Sequence, residues 1–418
     1  MFDVLKILIV FITILALLRL KWNIGYVLLI ASGLLAALYM MPVPAIISTI
    51  RSTITDPITI KLFFALTFIR ILELVLREKE VLSAMMDASR RLLKSKKALI
   101  ISMPMLIGLL PSLGGAYFSA PMVEEATKGL KMSPEEKGFI NYWFRHPWEY
   151  ILPLYPGILL ASAITKIELR NFILANAVYA LLLFITGFMF SMRDLSAEAN
   201  SRWYTTQKLG RPEMEKHNEN ASRLPHFRTS ELFSFLPVSL VLMLVIVFDM
   251  ELHYSLGIII LMLFSFYRLS PKEIFRTFRH GFTLDVTVLI FGAMLFKFTM
   301  ENSGSVVYLS RYFIEKGIPL LPVLLVLPFV SGLLTGLTVG FVGSTFPLII
   351  SLAGGVHLNQ MTLAFAAGFT GVLMSPVHLC LVLTREYFKA DVWGMYKRML
   401  PASGIIMTAA LIEYLMLK

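Results

Sequence analysis

The sequence has little cysteine and little charge. Cys380 is the only cysteine among 418 residues, which excludes an intramolecular disulfide, a CxxC redox pair and a metal site built from several cysteines. Charged residues make up 16% of the chain and hydrophobic residues 57%, far from the usage of soluble proteins. The patterns HExxH, GxSxG and GxxxxGK[ST] are missing, so no recognised catalytic motif indicates an enzyme. The composition therefore predicts an integral membrane protein that is not an enzyme.

The formal net charge is +11 at pH 7, which by itself would fit a nucleic-acid-binding protein. In a membrane protein, however, cytoplasmic loops collect Lys and Arg beside the apolar spans, and this is the commoner origin of such a charge. We therefore expect a lipid bilayer around the protein and no nucleic acid partner. The first apolar run carries Asp3 and Lys6 and lacks a cleavage site, so we interpret it as a retained span.

Ten apolar tracts are long enough to cross about 30 Å of hydrocarbon, or nearly so when tilted. Five of them precede a polar stretch in the middle of the chain and five follow it. This arrangement predicts an all-α membrane protein with two similar halves. The tracts lie near residues 4–19, 24–41, 58–76, 138–162, 171–191, 232–250, 254–267, 283–300, 360–384 and 400–416.

Two further apolar segments, 98–123 and 319–352, are broken by glycine and proline, and each follows an amphipathic stretch, at 79–97 and 303–317. Glycine and proline have the poorest helix propensity, and non-helical chain at membrane depth is tolerated only beside protein or water. We therefore predict a re-entrant hairpin in each half, the alternative being one more ordinary span. The segments correspond at an offset of 226 positions, with Gly114, Ser119 and Pro121 in PSLGGAYFSAP matched by Gly340, Thr345 and Pro347 in GLTVGFVGSTFP.

Five spans and one hairpin per half make the second half enter the membrane upside down relative to the first. The predicted fold is thus an all-α membrane protein of about ten transmembrane helices and two re-entrant hairpins, in two inverted-topology repeats. The repeats cover residues 1–192 and 230–418. The polar stretch 193–229 between them is a connector or, alternatively, a small regulatory element.

The distribution of basic residues predicts the orientation of the protein in the membrane, because Lys and Arg concentrate in cytoplasmic loops. With both termini outside, 27 of the 38 Lys and Arg residues fall on the inner side and 8 on the outer side. The bias predicts that the connector 193–229 is cytoplasmic. It also makes the first hairpin enter from the cytoplasm and the second from the exterior.

The fourth and ninth spans carry the motifs FRHPWEY and LMSPVHLC, in which Pro147 and Pro376 each interrupt a helix near the predicted hairpin tips. Carbonyl groups freed at such a break suit a cation such as sodium, and helix N-termini suit an anion. Two residues after each proline stands a titratable side chain, Glu149 or His378. Such groups inside a membrane are seldom kept without a partner or a function.

The sequence leaves open how these side chains act. Arg145 and Glu149 either pair with each other at a spacing of four residues, or Arg145 or His146 meets an anionic substrate while Glu149 carries a proton or holds a cation. His378 is either a ligand or proton relay, or a packed histidine with satisfied hydrogen bonds. At the hairpin tips, small hydroxyl residues and glycines either bind a ligand or pack helices closely. The predicted substrate- and ion-binding residues are Ser112, Gly114, Gly115, Ser119, Asn141, Arg145, His146, Glu149, Thr338, Gly340, Gly343, Ser344, Thr345, Ser375 and His378.

The order of spans and the motifs PSLGGAYFSAP, RHPWEY, GLTVGFVGSTFP and SPVHLC resemble an uncharacterised family of prokaryotic integral membrane proteins in the ion-transporter superfamily. That superfamily also holds sodium-coupled dicarboxylate symporters and gluconate and citrate permeases. The resemblance implies a multi-pass carrier of the prokaryotic cell membrane, often a homodimer, that moves small anions with a cation gradient. The chain departs from the dicarboxylate symporters by having SLGGA and VGSTF where they carry Ser-Asn-Thr signatures.

We therefore expect a secondary active transporter, namely a sodium- or proton-coupled symporter of a small organic anion that works by alternating access. Its partners would be the anionic solute and the coupling cation. A cation/proton antiporter is the alternative within the same fold, and a membrane-embedded enzyme with Glu149 and His378 as acid and base is an alternative of another class. No cofactor is expected other than sodium at the hairpin tips, and no firm metal site is predicted.

Overall fold

The computed structural model describes residues 2–20, 22–93, 95–111, 115–191, 233–305 and 319–417, together with 308, 312 and 315–317. Within these ranges the regular secondary structure is entirely helical, and there is no β-strand. The predicted all-α fold is confirmed. The predicted connector 193–229 lies outside the described residues, as do seven of the fifteen residues of the predicted amphipathic stretch 303–317.

The first half contains eleven described helices. Several of them begin at a capping Asp or Ser or at a proline. Asp56 caps α4, Ser95 caps α6 and Ser133 caps α8, each by accepting a hydrogen bond from a backbone N–H of the first turn. The helices are α1 Phe2–Arg19, α2 Ile24–Leu38, α3 Val43–Thr55, α4 Pro57–Glu78, α5 Val81–Leu92, α6 Lys96–Gly108, α7 Gly115–Ala126, α8 Pro134–Trp143, α9 Trp148–Ile151, α10 Pro156–Thr165 and α11 Leu169–Ser191.

The second half starts, in its described part, with a 3-10 turn at Phe233–Phe235. Helix α12 follows it and continues as a π-helix over Met243–Val247. The helices are α12 Leu236–Leu242, α13 Leu252–Phe266, α14 Pro271–Gly281, α15 Leu284–Asn302, α16 Leu320–Thr335, α17 Thr338–Ala353, α18 Leu358–Leu373, α19 Leu379–Phe388 and α20 Val392–Met416.

Three described helical stretches are long and apolar enough to cross a membrane: Leu169–Ser191, Pro271–Asn302 and Val392–Met416. They coincide with three of the ten predicted tracts. Several other tracts form apolar helices of 10–17 residues, which fall short of a full crossing by length alone. Apolar helices of this kind associate the protein with a membrane.

Both predicted hairpin segments fold back on themselves. In the first, Lys96 Nζ at the start of α6 donates to the carbonyl of Lys128, just beyond the end of α7, at 3.2 Å. A straight helical segment of that length would hold its ends more than about 40 Å apart, since each residue adds about 1.5 Å. In the second, the hydroxyls of Ser331 on α16 and Ser344 on α17 lie 2.9 Å apart across the turn. Each segment is therefore a pair of adjacent helices.

Gly336 makes the turn of the second hairpin. It ends α16 with a φ of 63°, a left-handed conformation that side chains with a Cβ adopt at a cost, and its N–H bonds the carbonyl of Gly332 at 2.8 Å. A Cβ added there would lie 2.9 Å from the backbone of His378. The position therefore requires glycine both for its φ and for its close approach to a second helix.

The predicted spans 138–162 and 360–384 are not single helices. The first is divided into α8, α9 and α10, because Pro147 cannot donate a backbone hydrogen bond and Pro156 starts a new helix. The second is divided into α18 and α19, with Pro376 between them. The interruption predicted at each proline is thus observed, and the first span contains a second interruption that was not predicted.

An aromatic cluster packs the second hairpin against α18 and the first interrupted helix. The rings of Phe341 and Phe365 lie 5.5 Å apart, and the ring of Tyr150 meets that of Phe369 edge to face at 4.8 Å. All four residues are fully buried. Such close aromatic packing gives a rigid wall beside the polar residues of the two helix breaks.

Candidate functional site

The two helix breaks meet inside the protein through a pair of histidines. His146 lies between α8 and α9, and His378 precedes the first residue of α19. Their Nε2 atoms are 3.1 Å apart, although the residues are 232 positions apart in sequence. The exposed fractions are 1% for His146 and 8% for His378, so the contact is shielded from solvent. The junction of the two breaks is the candidate functional site.

Hydrogen bonds assign the tautomers of both histidines. Nδ1 of His146 lies 2.6 Å from the carbonyl of Tyr142, and Nδ1 of His378 lies 2.6 Å from the carbonyl of Gly336. Because a carbonyl only accepts, each Nδ1 carries a hydrogen and donates it. In two neutral rings, both Nε2 atoms would then present lone pairs to each other at 3.1 Å. This arrangement calls for a positively charged species between them.

Glu149 connects the first break to the second hairpin. Its Oε2 accepts a hydrogen bond from Thr338 Oγ1 at 2.7 Å, and its Oε1 lies 3.7 Å from His146 Nε2. Thr338 is the first residue of α17, directly after the hairpin turn. The prediction that Glu149, His146 and Thr338 belong to one site agrees with this geometry.

Arg145 is buried, and two of its guanidinium nitrogens have no hydrogen-bond partner in the part of the chain that the structure describes. Only 4% of the residue is exposed, and neither Nε nor Nη1 has a hydrogen-bond partner. The pairing of Arg145 with Glu149 that the spacing allowed does not form, because the helix is interrupted between the two residues. Buried guanidinium nitrogens without a hydrogen-bond partner are costly, so Arg145 is a candidate ligand contact.

The tip of the first hairpin lies against this arginine. A Cβ added at Gly108, the last residue of α6, would lie 2.5 Å from the carbonyl of Arg145. On the same side, Trp148 Nε1 donates to the carbonyl of Met105 at 2.8 Å. Both hairpins therefore reach the break that carries Arg145, His146 and Glu149.

Asn141 is placed beside the first hairpin but its hydrogen bonds are used. Its Oδ1 accepts from Ser119 Oγ at 2.6 Å, and its Nδ2 donates to the carbonyl of Ala116 at 2.9 Å and to Thr384 Oγ1 at 3.0 Å. Asn141 and Ser119 thus join α7, α8 and α19, and this set of bonds gives them a structural role.

Most predicted polar residues of the second hairpin and the second break donate hydrogen bonds to backbone carbonyls of the protein. Ser344 Oγ donates to the carbonyl of Gly340 at 2.7 Å, and Thr345 Oγ1 donates to the carbonyl of Phe341 at 2.6 Å, each within α17. Ser375 Oγ donates to the carbonyl of Leu333 at 2.7 Å and so holds the second break against α16. Gly340, Gly343 and, in the first hairpin, Gly115 are buried; Ser112 and Gly114 lie outside the described residues.

Two residues of the junction were not predicted. Cys380 brings its sulfur into a group in which the ligand atoms of His146, His378 and Cys380 all lie within 4.8 Å of one another. Gly336 supplies the carbonyl that orients His378. Cys380 stands two residues after His378 in SPVHLC, a signal that the sequence contained, whereas the role of Gly336 depends on tertiary packing.

The fold and the junction define an all-helical, membrane-associated protein with two interrupted helices around a buried polar site. The chain belongs to the family described as "Protein of unknown function (DUF401)", whose model matches residues 2–206 and 209–417. A search of curated proteins finds no match.

Proposed function

We propose that the protein is a secondary active transporter that moves a small organic anion together with sodium or a proton. The observation that carries the proposal is Arg145, a buried guanidinium with unpaired Nε and Nη1 atoms at a helix break. A carboxylate matches a guanidinium in charge and in hydrogen-bond geometry. The anion would occupy the space beside Arg145, between the two hairpins.

The architecture supports alternating access. The two paired-helix segments, α6–α7 and α16–α17, would be re-entrant hairpins, because the Lys96–Lys128 hydrogen bond holds both ends of the first at one level. Five spans and one hairpin in each half would then give inverted repeats, with broken helices at the midplane. The resemblance to the ion-transporter superfamily implies a homodimer, and the distribution of Lys and Arg predicts that both termini lie outside and the connector lies in the cytoplasm.

The first experiment identifies a ligand. Full-length protein in detergent is heated with monocarboxylates, dicarboxylates, phosphate and sulfate, each with and without sodium. An anion that binds only the folded protein raises the melting temperature. The stabilising anion is then tested for uptake into proteoliposomes under imposed sodium and proton gradients. If neither gradient drives uptake of any anion into vesicles that contain folded protein, the proposed function is wrong.

The second experiment tests Arg145 itself against a matched arginine. Arg145→Gln should weaken anion binding by about tenfold or more, since it removes the charged partner of a buried anion. Arg70→Gln is the control, because Arg70 also lies in an apolar helix but its Nε already donates to the carbonyl of His280 at 3.4 Å. Equal binding by both variants, with unchanged melting temperatures, would exclude Arg145 as the anion contact.

A cation/proton antiporter is the second candidate. It is favoured by Glu149, a carboxylate that is 12% exposed and faces Thr338 at the tip of the second hairpin. The discriminating measurement is proton movement in proteoliposomes under a sodium gradient with no organic anion present. Sodium-driven proton flux under these conditions would support the antiporter, and flux that requires an anion would support the symporter.

A further inference from the structure

We propose that His146, His378 and Cys380 form a binding site for a d-block metal ion such as Zn²⁺ at the junction of the two helix breaks, with Glu149 as a fourth, adjacent ligand. The inference concerns binding alone and does not depend on the proposed transport. It assigns to Cys380 a role that the anion site does not give it.

The ligand atoms lie at nearly the required separations. Nε2 of His146 and Nε2 of His378 are 3.1 Å apart, whereas two nitrogen ligands of a tetrahedral zinc ion lie about 3.3 Å apart, given Zn–N bonds of about 2.0–2.1 Å. The sulfur of Cys380 is within 4.8 Å of both nitrogens, and Glu149 Oε1 is 3.7 Å from His146 Nε2. To complete a tetrahedron, an ion would draw the sulfur inward by at most about 1 Å.

The surroundings of the histidines match those of metal ligands. A metal-bound histidine commonly donates its other ring N–H to a carbonyl or carboxylate, which fixes the tautomer and the direction of the ring. Both histidines do so, through the carbonyls of Tyr142 and Gly336, each at 2.6 Å. Their Nε2 lone pairs are thereby directed at one point between the two rings. A cation at that point turns an unfavourable contact into two coordinate bonds.

The donor types determine which ions fit. Two imidazole nitrogens and a thiolate favour zinc and neighbouring late transition metals over sodium, magnesium or calcium, which prefer oxygen ligands. The site is therefore distinct in chemistry from the sodium site expected at the hairpin tips. Cys380 is only partly buried, so an ion has a side from which to approach.

The ligands come from both halves of the chain, so a bound ion would link the two halves. His146 and Glu149 belong to the first break, while His378 and Cys380 flank the start of α19 in the second. His378 is in turn bonded to the hairpin turn at Gly336. A bound ion would fasten the second hairpin to the first break.

The first test uses the single cysteine as a reporter. A maleimide is added to purified full-length protein, and the rate of Cys380 alkylation is measured with and without one equivalent of Zn²⁺. Coordination should slow the reaction by about tenfold or more, because the metal-bound thiolate is no longer free to attack. Mg²⁺ and Ca²⁺ at the same concentration should leave the rate unchanged. An alkylation rate that Zn²⁺ does not alter would overturn the proposal.

The second test replaces Zn²⁺ by Co²⁺, whose thiolate complexes absorb in the near ultraviolet by sulfur-to-metal charge transfer. One equivalent should give this band in the unmodified protein. Cys380→Ser should abolish the band, and His146→Ala should weaken binding by about tenfold or more. His253→Ala should retain the band, because His253 is not part of this cluster and lies beside Glu251, at 3.4 Å, which also pairs with Lys61.

Melting temperatures distinguish a variant that has lost a metal-binding side chain from one that has unfolded. Cys380→Ser changes one atom, so a folded variant without the band supports the site. Co²⁺ binding that gives no charge-transfer band in the unmodified protein, or a band that persists in Cys380→Ser, would overturn it. Anion binding and uptake are measured separately, so failure of the metal site leaves the proposed transport function unaffected, and the reverse is also true.

Discussion

The two interrupted helices place titratable residues at corresponding positions and yet use them differently. Glu149 and His378 each stand two residues after a proline, one in each half. Glu149 accepts from Thr338 of the second half at 2.7 Å, whereas Nδ1 of His378 bonds the carbonyl of Gly336 in its own half at 2.6 Å and its Nε2 meets His146 of the first half. Both side chains therefore reach the same hairpin, α16–α17.

The first hairpin is held in another way. Its described part bonds the first break through Ser119 and Asn141, and Asn141 continues to Thr384 of α19. These are neutral side-chain contacts, while the second hairpin is held by an imidazole and a carboxylate. The comparison teaches that the charged chemistry of the site is concentrated at one of two similar hairpins. Substitutions in the turn of the second hairpin, α16–α17, should then reduce stability more than substitutions in the turn of the first.

Among the substitutions that test this difference between the hairpins, Gly336→Ala is expected to cause the largest loss of stability. The new Cβ would occupy a left-handed conformation and would lie 2.9 Å from the backbone of His378, so we expect a loss of about 3 kcal/mol or more in stability. Thermal unfolding in detergent measures the loss. Gly317→Ala is the matched control, because Gly317 has a φ of 58° but no atom within 4 Å of an added Cβ.

The control separates the cost of the left-handed backbone conformation from the cost of the close approach to His378. Gly317→Ala should cost only the backbone term, about 1 kcal/mol. If Gly336→Ala lowers the melting temperature no more than Gly317→Ala does, then the close approach to His378 contributes nothing and the second hairpin turn is not specially constrained.

A smaller effect is expected from Asn141→Ala on the side of the first hairpin. The change leaves the carbonyl of Ala116 and the hydroxyls of Ser119 and Thr384 without this partner in a buried site, and we expect a loss of about 2 kcal/mol. The measurement is again thermal unfolding, with anion binding as a second readout.

Asn176→Ala provides the matched comparison for that substitution. Asn176 is equally buried, but its amide bonds only the carbonyl of Phe172 in its own helix, and its Oδ1 has no partner. It should lose about 1 kcal/mol or less. A larger loss for Asn176→Ala than for Asn141→Ala would contradict the role of Asn141 as the link among three helices.

The smallest effect is expected from Thr338→Val, which removes the hydroxyl that Glu149 accepts from. A hydrogen bond to a carboxylate contributes about 1.5 kcal/mol, so the melting temperature should fall modestly and Thr338→Ser should restore it. Thr345→Val is the control, because its hydroxyl bonds only the carbonyl of Phe341 within α17. Equal effects of the two valine variants would mean that the Glu149 contact stabilises nothing.

Local signals in the sequence located the breaks well. Pro147 and Pro376 interrupt their helices because a missing N–H and a ring clash act on the backbone of the same segment. Pro156 does the same at the start of α10, but it lies within an apolar tract that otherwise reads as one span. Several apolar tracts form helices of 10–17 residues, so the number of spans stays a prediction.

The sequence left open whether the small polar residues bind a ligand or pack helices, and their roles at a ligand site stay predictions. Sequence placed Asn141, Ser344, Thr345 and Ser375 at a ligand site, and the structure gives each a hydrogen bond to its own helix or to a neighbouring one. A hydroxyl or amide has the same sequence signature in either role. Only the positions of the acceptors around it decide which role it takes.

The sequence by itself determined an all-helical, membrane-associated chain with breaks at fixed prolines and glycines, because hydropathy and helix propensity act over a few neighbouring residues. The tertiary structure decided that His146 meets His378 at 3.1 Å, that Cys380 joins them and that Nε and Nη1 of Arg145 have no hydrogen-bond partner among the described residues. These contacts join residues more than 200 positions apart or depend on what surrounds a buried side chain. They follow from how the halves pack, which no local pattern specifies.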